Sequence, residues 1–278
     1  MDATLRYENS RGEVLRFAPD SALHYVGTDM RDFKRGYRVN NGKLQGFVDE
    51  PREFKLQAVV NGELIDKNKL YEVLYYDTAC GVPGKLYAGE YYVECNVIGS
   101  KKSKWHMLDG YMHNELTMLA VSPYWVKDTN FPFVALGDGE EATSTFLDFP
   151  HDFPFDYAPN TNIQFITSSS FIDAGAVITF DGPVSNPSVT IGGNTYGVNA
   201  TVGVNERIEI DTMAHTVSKV DAVGGRTNIF AKRAGIYKLN SGSFVFQPIA
   251  SGTSEVSWDG TFSFNVLVRE KRSEPLWN

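Results

Sequence analysis

The sequence predicts a mainly β chain of two domains, and three observations carry that reading. Apolar and polar residues alternate over short stretches from one end to the other, which is the period of a half-buried strand. Those stretches are punctuated by 25 Gly and 12 Pro, the residues that supply the backbone angles of tight turns. Fourteen Tyr and eighteen Phe add the aromatic enrichment typical of pleated surfaces. A length of 278 residues suits two domains, with expected bounds of 1–136 and 137–278.

The opening stretch ATLRYENSRGEVLRFAP places two short strands around the turn tetrapeptide Asn9-Ser10-Arg11-Gly12. Tyr37 to Val39 and Leu44 to Phe47 flank Asn40-Asn41-Gly42, where Asn-Gly tolerates the positive φ of a hairpin turn. Phe54, Leu56 and Ala58 alternate with Lys55 and Gln57 as a further strand. One segment, DKNKLYEVLYYD, has the helical period: Leu70, Val73, Leu74 and Asp77 share a face, with Asp66 or Asn68 as N-cap. Residues 81–97, GVPGKLYAGEYYVECNV, then read as a Pro-Gly turn and a strand with Tyr91, Val93, Cys95 and Val97 on one face. Residues 101–104 read as a charged turn, and Asn114 to Val121 as a strand with Leu116, Met118 and Ala120 inward.

After Trp125 the texture changes. Residues 128–160 hold four prolines, an acidic cluster and no sustained period, so an extended connector is expected. Beyond it the strand-like segments are Ile163 to Ile166, Ala176 to Phe180, Ser188 to Ile191, Arg207 to Ile210, Thr216 to Val220, Ser243 to Phe246, Glu255 to Trp258 and Thr261 to Val268. Turn signals such as Gly192-Gly193-Asn194 separate them. This is the pattern of an antiparallel β-sandwich or jelly roll.

Composition narrows the function. Hydrophobic residues make up 42% of the chain, ample for packed cores. The apolar runs are a few residues long, far short of the roughly 20 that span a bilayer, and no membrane insertion is expected. MDATLRYENS lacks the basic and apolar regions of a secretory signal. A formal net charge of −8 argues against nucleic-acid binding, which needs clustered Lys and Arg.

Each hint of chemistry has a plainer explanation. Gly81 to Leu86 has two residues between its glycines and no Ser or Thr after Lys85, so it fails as a phosphate loop. Cys80 and Cys95 fit no zinc or redox spacing. His24, His106, His113, His151 and His215 do not cluster as metal ligands do. Asp138, Glu140, Glu141, Asp148, Asp152 and Asp156 invite a glycosidase or calcium reading, yet they lie on an irregular segment rather than on strands lining a groove. No catalytic, cofactor-binding or metal residue is therefore expected, no cofactor, and no enzymatic activity.

Taken together, several segments resemble the distal tail proteins of phages with long non-contractile tails. They are Arg11-Gly12-Glu13, the helix ending in Tyr75-Tyr76-Asp77, Pro83-Gly84-Lys85-Leu86-Tyr87, the tyrosine-rich strand Tyr91 to Cys95, and Trp125 with its Phe-Pro-Phe segment. Phe153-Pro154-Phe155-Asp156-Tyr157, Trp258-Asp259-Gly260, Phe262 to Val268 and the tail from Arg269 to Trp277 complete the set. The resemblance implies an N-terminal β-barrel-like domain with one helix, then a galectin-like β-sandwich. It implies a homo-oligomer, a hexameric ring at the virion tail tip, assembled in the bacterial host cytoplasm. Its partners would be the tail tube protein, the tail-associated hub protein and receptor-binding proteins. The hairpin at residues 81–97 would be the arm that meets a neighbouring subunit. The rival reading is a carbohydrate-binding jelly roll recognising host surface polysaccharide, with Trp258 free to be core or exposed.

Overall fold

The computed structural model describes residues 5–105, 110–135, 164–236 and 238–276. The chain divides into two compact units, residues 1–127 with 271–278, and residues 128–270.

The first unit comprises β1 (Leu5–Glu8), β2 (Val14–Phe17), β3 (Leu23–Thr28), β4 (Gly36–Asn40), β5 (Lys43–Val48), β6 (Arg52–Asn61), α1 (Lys67–Cys80), β7 (Gly84–Ala88), β8 (Tyr91–Trp105), β9 (Tyr111–Ala120) and the start of β10 (Trp125–Phe133). Seven of these strands close a barrel in the order β8-β7-β1-β2-β3-β6-β9, with β9 pairing back onto β8. Closure removes the free edges that an open sheet presents. Strict alternation fills the interior: Phe54, Leu56, Ala58 and Val60 from β6 meet Leu116, Met118 and Ala120 from β9. Each fully buried aliphatic side chain contributes about 1.5–3 kcal/mol.

Helix α1 starts where Asp66 accepts a bond from the Asn68 N–H, at 2.9 Å. Leu70, Val73 and Leu74 join the barrel core. The helix continues past Tyr75-Tyr76-Asp77 to Cys80, and Gly81 stops it with a left-handed φ of 67°, a conformation in which Gly has no Cβ penalty. Gly84, expected to turn the chain, instead opens β7. A Cβ there would collide with the Asp77 carboxylate and the Tyr7 ring, so close approach is what calls for glycine. Residues 101–104 also depart from expectation: they extend β8, with Lys101 opposite Glu115 and Lys102 opposite Asn114. Bulges after Val97 and Lys102 absorb the curvature of closure.

The second unit contains β11 (Gln164–Ser168), β12 (Gly175–Asp181), β13 (Val184–Ser185), β14 (Ser188–Ile191), β15 (Asn194–Gly197), β16 (Thr201–Val202), β17 (Arg207–Asp211), β18 (Thr216–Val220), β19 (Arg226–Asn228), β20 (Gly252–Ser257) and β21 (Phe264–Arg272). One sheet runs β19-β18-β17-β12-β21, another β11-β20-β14-β15, and β13 pairs with β16. The two larger sheets share one core, with Ile178, Phe180, Ile208, Ile210 and Val266 from the first and Ile166, Val189, Ile191 and Val256 from the second. Trp258 belongs to that core: its indole N–H donates to the Phe262 carbonyl at 3.2 Å and its ring meets Phe264 edge-on.

Two expectations change here. The stretch Asp128 to Phe133 completes β10, and Phe133 stacks on Phe264 with ring centroids 4.5 Å apart. The remainder of the expected connector, with its six acids and the Phe153 to Tyr157 motif, lies outside the described residues. The stretch Ser243 to Phe246 is a loop rather than a strand. Phe244, Val245 and Phe246 are all buried, yet no strand ladder pairs their backbone. Asn194 supplies the missing ladder, its amide N–H donating to the Phe244 carbonyl at 3.0 Å and its oxygen accepting the Phe244 N–H at 3.1 Å. Asn194→Ala leaves both buried groups unpaired and is expected to cost about 2 kcal/mol, read from the urea midpoint. An unchanged midpoint would refute that role.

Candidate functional site

The hairpin at residues 81–97 does not project. Leu86, Ala88, Val93, Cys95 and Val97 are all buried in the barrel core, and burial pushes the Cys95 thiol up to about 12, which leaves it inert as a nucleophile. Cys80, expected in a turn, is the exposed last residue of α1.

The other hairpin is exposed along both of its strands. Strands β4 and β5 form a separate two-stranded sheet, turned through Asn41 at φ 48° and Gly42 at φ 73°. Tyr37 pairs with Phe47 and Val39 with Leu44 across a bulge, so all four apolar side chains lie on one face of the ribbon. That face is bare: Tyr37 is 68% exposed and Phe47 63%. A lone hairpin is marginal in water, and an exposed apolar face of this kind makes it the candidate interaction surface. Residues 31–48 hold Arg31, Lys34, Arg35, Arg38 and Lys43 against the single acid Asp32, a basic segment on a chain of net charge −8.

The base of the ribbon is fixed. Met30 is buried in the barrel core, and the Asp29 carboxylate accepts the Lys55 N–H at 2.6 Å. Asp49 accepts from the Arg35 guanidinium at 3.0 Å and from the Tyr124 hydroxyl at 2.7 Å. Arg35 also donates to the Tyr124 oxygen. The chain's end returns to this place, where Lys271 lies over the Tyr124 ring and Arg31 donates to the Pro275 carbonyl at 3.0 Å.

Partial burial would raise the Asp49 carboxyl, but the Tyr124 bond, the Arg35 bond and charge, and the Lys271 charge together hold it below the ordinary carboxylate range. Burial and the Asp49 carboxylate in turn push Tyr124 up to about 12. A depressed carboxyl stabilises the clamp above the ordinary value, near pH 4, and that contribution is lost as pH falls through the depressed one. Asp49→Asn at neutral pH is therefore expected to raise amide exchange across residues 31–48 several-fold, with β6 unchanged. Equal exchange in both proteins would dismiss the clamp.

Of the groups considered for catalysis, those among the described residues are not brought together. His24 and His113 both stand in register with Val59, from opposite sides of β6, which leaves about 10 Å between their backbones. His215 stacks on Phe246 with centroids 5.0 Å apart, while His106 and His151 lie outside the described residues. Among the described residues no group of three His, Cys, Asp or Glu side chains is placed to hold a metal ion. Among the described residues two carboxylates are buried, each in its own unit, and both are taken up by structural hydrogen bonds. Asp77 accepts from Tyr7 and Ser10, and Glu270 from the Ser169 N–H at 2.7 Å and hydroxyl at 2.9 Å.

No family model and no curated protein sequence matches this chain. Solved structures do match in fold. The Dit protein of phage SPP1, described as a paradigm of hub adsorption apparatus in phages infecting Gram-positive bacteria, is similar at a TM-score of 0.58 with 10% identity. That match covers 97% of this chain and 98% of the other. A chain of the phage P2 baseplate in its activated conformation with Ca matches at 0.61 and 10% identity, over 99% and 100%. The same baseplate with Sr matches at 0.59 and 10% identity, over 98% and 99%. The structural neighbours of this chain are thus phage hub and baseplate proteins, and what it shares with them is the fold.

Proposed function

We propose that this protein is a structural component of a phage tail tip, a distal tail protein that forms a ring joining the tail tube to the hub. The reading rests on a fold shared along 97% or more of the chain with hub and baseplate proteins. The bare ribbon of β4 and β5 supplies the means. In this reading residues 1–136 form the ring, and residues 137–278, a galectin-like sandwich, face outward to other tail components.

Each ribbon lays its Tyr37, Val39, Leu44 and Phe47 face on the next copy. The occupant is another copy of this chain because a basic ribbon on an acidic body is complementary to that same body. Head-to-tail contacts of this kind close into rings when the rotation allows, and six copies is the size the family resemblance implies. The work done is geometric, without catalysis.

Light scattering of the purified chain across a concentration series, with negative-stain imaging, tests the reading. Closed rings are the expected result, either alone or on mixing with tail tube and hub proteins. A chain that stays monomeric in both conditions overturns it.

A further inference from the structure

The second unit contains a cavity of about 350 Å³ between the Gly192-Gly193 turn and the loop from Asn240 to Ala250. That volume lies at the small end of the roughly 300–1,000 Å³ seen for ligand pockets. Its rim and wall carry groups with hydrogen-bonding capacity to spare. Asp173, an exposed lining residue, has a carboxylate that no donor engages among the described residues. Ser254 is 5% exposed and lines the cavity, and its hydroxyl too has no partner among the described residues.

Two further groups are held in place by each other. The Asn240 N–H donates to Gln247 Oε1 at 2.9 Å, and Gln247 Nε2 donates to Asn240 Oδ1 at 2.9 Å. This fixes the two side chains and leaves the Asn240 amide hydrogens free. Asn240 itself sits at φ 57°, a conformation Asn tolerates better than most residues. Beneath the pair, the Tyr196 hydroxyl donates to the Gln247 carbonyl at 2.7 Å, which anchors the loop to the sandwich core. Ile191 and Ile249 give the cavity a small apolar wall.

The chemistry of this lining selects a ligand class. Among the described residues no Lys or Arg lines the cavity, so none of them would neutralise an anion. A single carboxylate cannot build the oxygen cage that Ca²⁺ requires. A carboxylate, an amide donor and a hydroxyl around a small apolar patch instead match a pyranose ring, whose vicinal hydroxyls give and accept bonds while its C–H face needs apolar cover. Phe171 stands two residues from Asp173, within about 7 Å of chain, and its ring is 86% exposed.

We infer that this cavity binds a single neutral hexose or N-acetylhexosamine unit. Asp173 accepts from two adjacent sugar hydroxyls, and Asn240 and Ser254 bond the others. The buried indole of Trp258 takes no part. The inference is independent of ring assembly, because β4 and β5 belong to the other unit.

The test uses the full chain and a panel of glucose, galactose and N-acetylglucosamine, with glycerol phosphate as the charged control. Ligand-observed NMR reads binding. At least one of the sugars is expected to bind near the millimolar range, and glycerol phosphate is not. Asp173→Asn should weaken that affinity about tenfold, the size of a lost bond to a charged group. Ser254→Met should remove the hydroxyl, intrude on the cavity and abolish binding. Asp173 is exposed and unpartnered, so its variant decides the matter even if the Met variant fails to fold. Absence of binding by all three sugars overturns the proposal. So does binding that both substitutions leave unchanged, or a preference for glycerol phosphate. A chain that forms rings yet binds no sugar would remove this inference and leave the assembly reading intact.

Discussion

Replacing Tyr37 and Phe47 together by aspartate is expected to abolish self-association while leaving the thermal unfolding of the monomer within a degree or two of the parent. The two rings face each other across the β4–β5 ribbon and are more than half exposed in the single chain. Their substitution therefore removes no core packing. Aromatic anchors at the centre of an interface cost about 2–4 kcal/mol each when truncated, and two buried carboxylates would add desolvation without partners. The expected loss of affinity is at least a thousandfold, measured by sedimentation or light scattering. Val14→Asp, an exposed position on β2, is the control. If the double variant assembles like the parent, the ribbon is not the contact.

Asp77→Ala is expected to cost the first unit a large share of its stability. Asp77 is fully buried. Its carboxylate accepts the Tyr7 hydroxyl at 2.5 Å, and the Ser10 N–H and hydroxyl at 2.9 and 2.6 Å. One side chain of α1 thereby ties the helix to β1 and to the turn after it. Burial and the Asp77 bond push the Tyr7 phenol far above its ordinary value, so Tyr7 stays a neutral donor at any physiological pH. Alanine removes the acceptor of all three bonds and strands the buried Tyr7 hydroxyl, at a cost of about 3 kcal/mol, or a melting point lower by about 10 °C. Tyr7→Phe strands nothing but one carboxylate lone pair and should cost less. The double variant should lose less than the sum of the two, because the groups share a bond. A melting point unmoved by Asp77→Ala would show that the carboxylate is incidental.

Much of the fold was legible because it is local. The Asn41-Gly42 turn, the strand over Phe54 to Ala58, the Asp66 cap and the inward side of Cys95 all follow from spacing and backbone preference within a few residues. The same local rules misread residues 101–104 and 243–246. A run of lysines looks like a turn until Glu115 stands opposite. Three consecutive apolar residues look like a strand until Asn194 satisfies the backbone of Phe244 from 50 residues away. Gly84 carried a turn signal, yet the space it leaves is claimed by Tyr7 and Asp77, neither of which is near it in sequence.

The candidate site divides the same way. Both hairpins, residues 36–48 and 84–97, alternate apolar and polar residues, and nothing local says which of them finds a core. The sequence alone determined the elements: a β-rich chain, one capped helix, and turns where glycine, proline and asparagine demand them. The tertiary structure decided the partners. It closed seven strands into a barrel, sank β7 and β8 into it, left β4 and β5 bare, and set Asp173, Asn240 and Ser254 around one cavity. The reason is physical: an alternating pattern fixes which side of a strand is apolar, but only the rest of the chain can supply the surface that side is buried against.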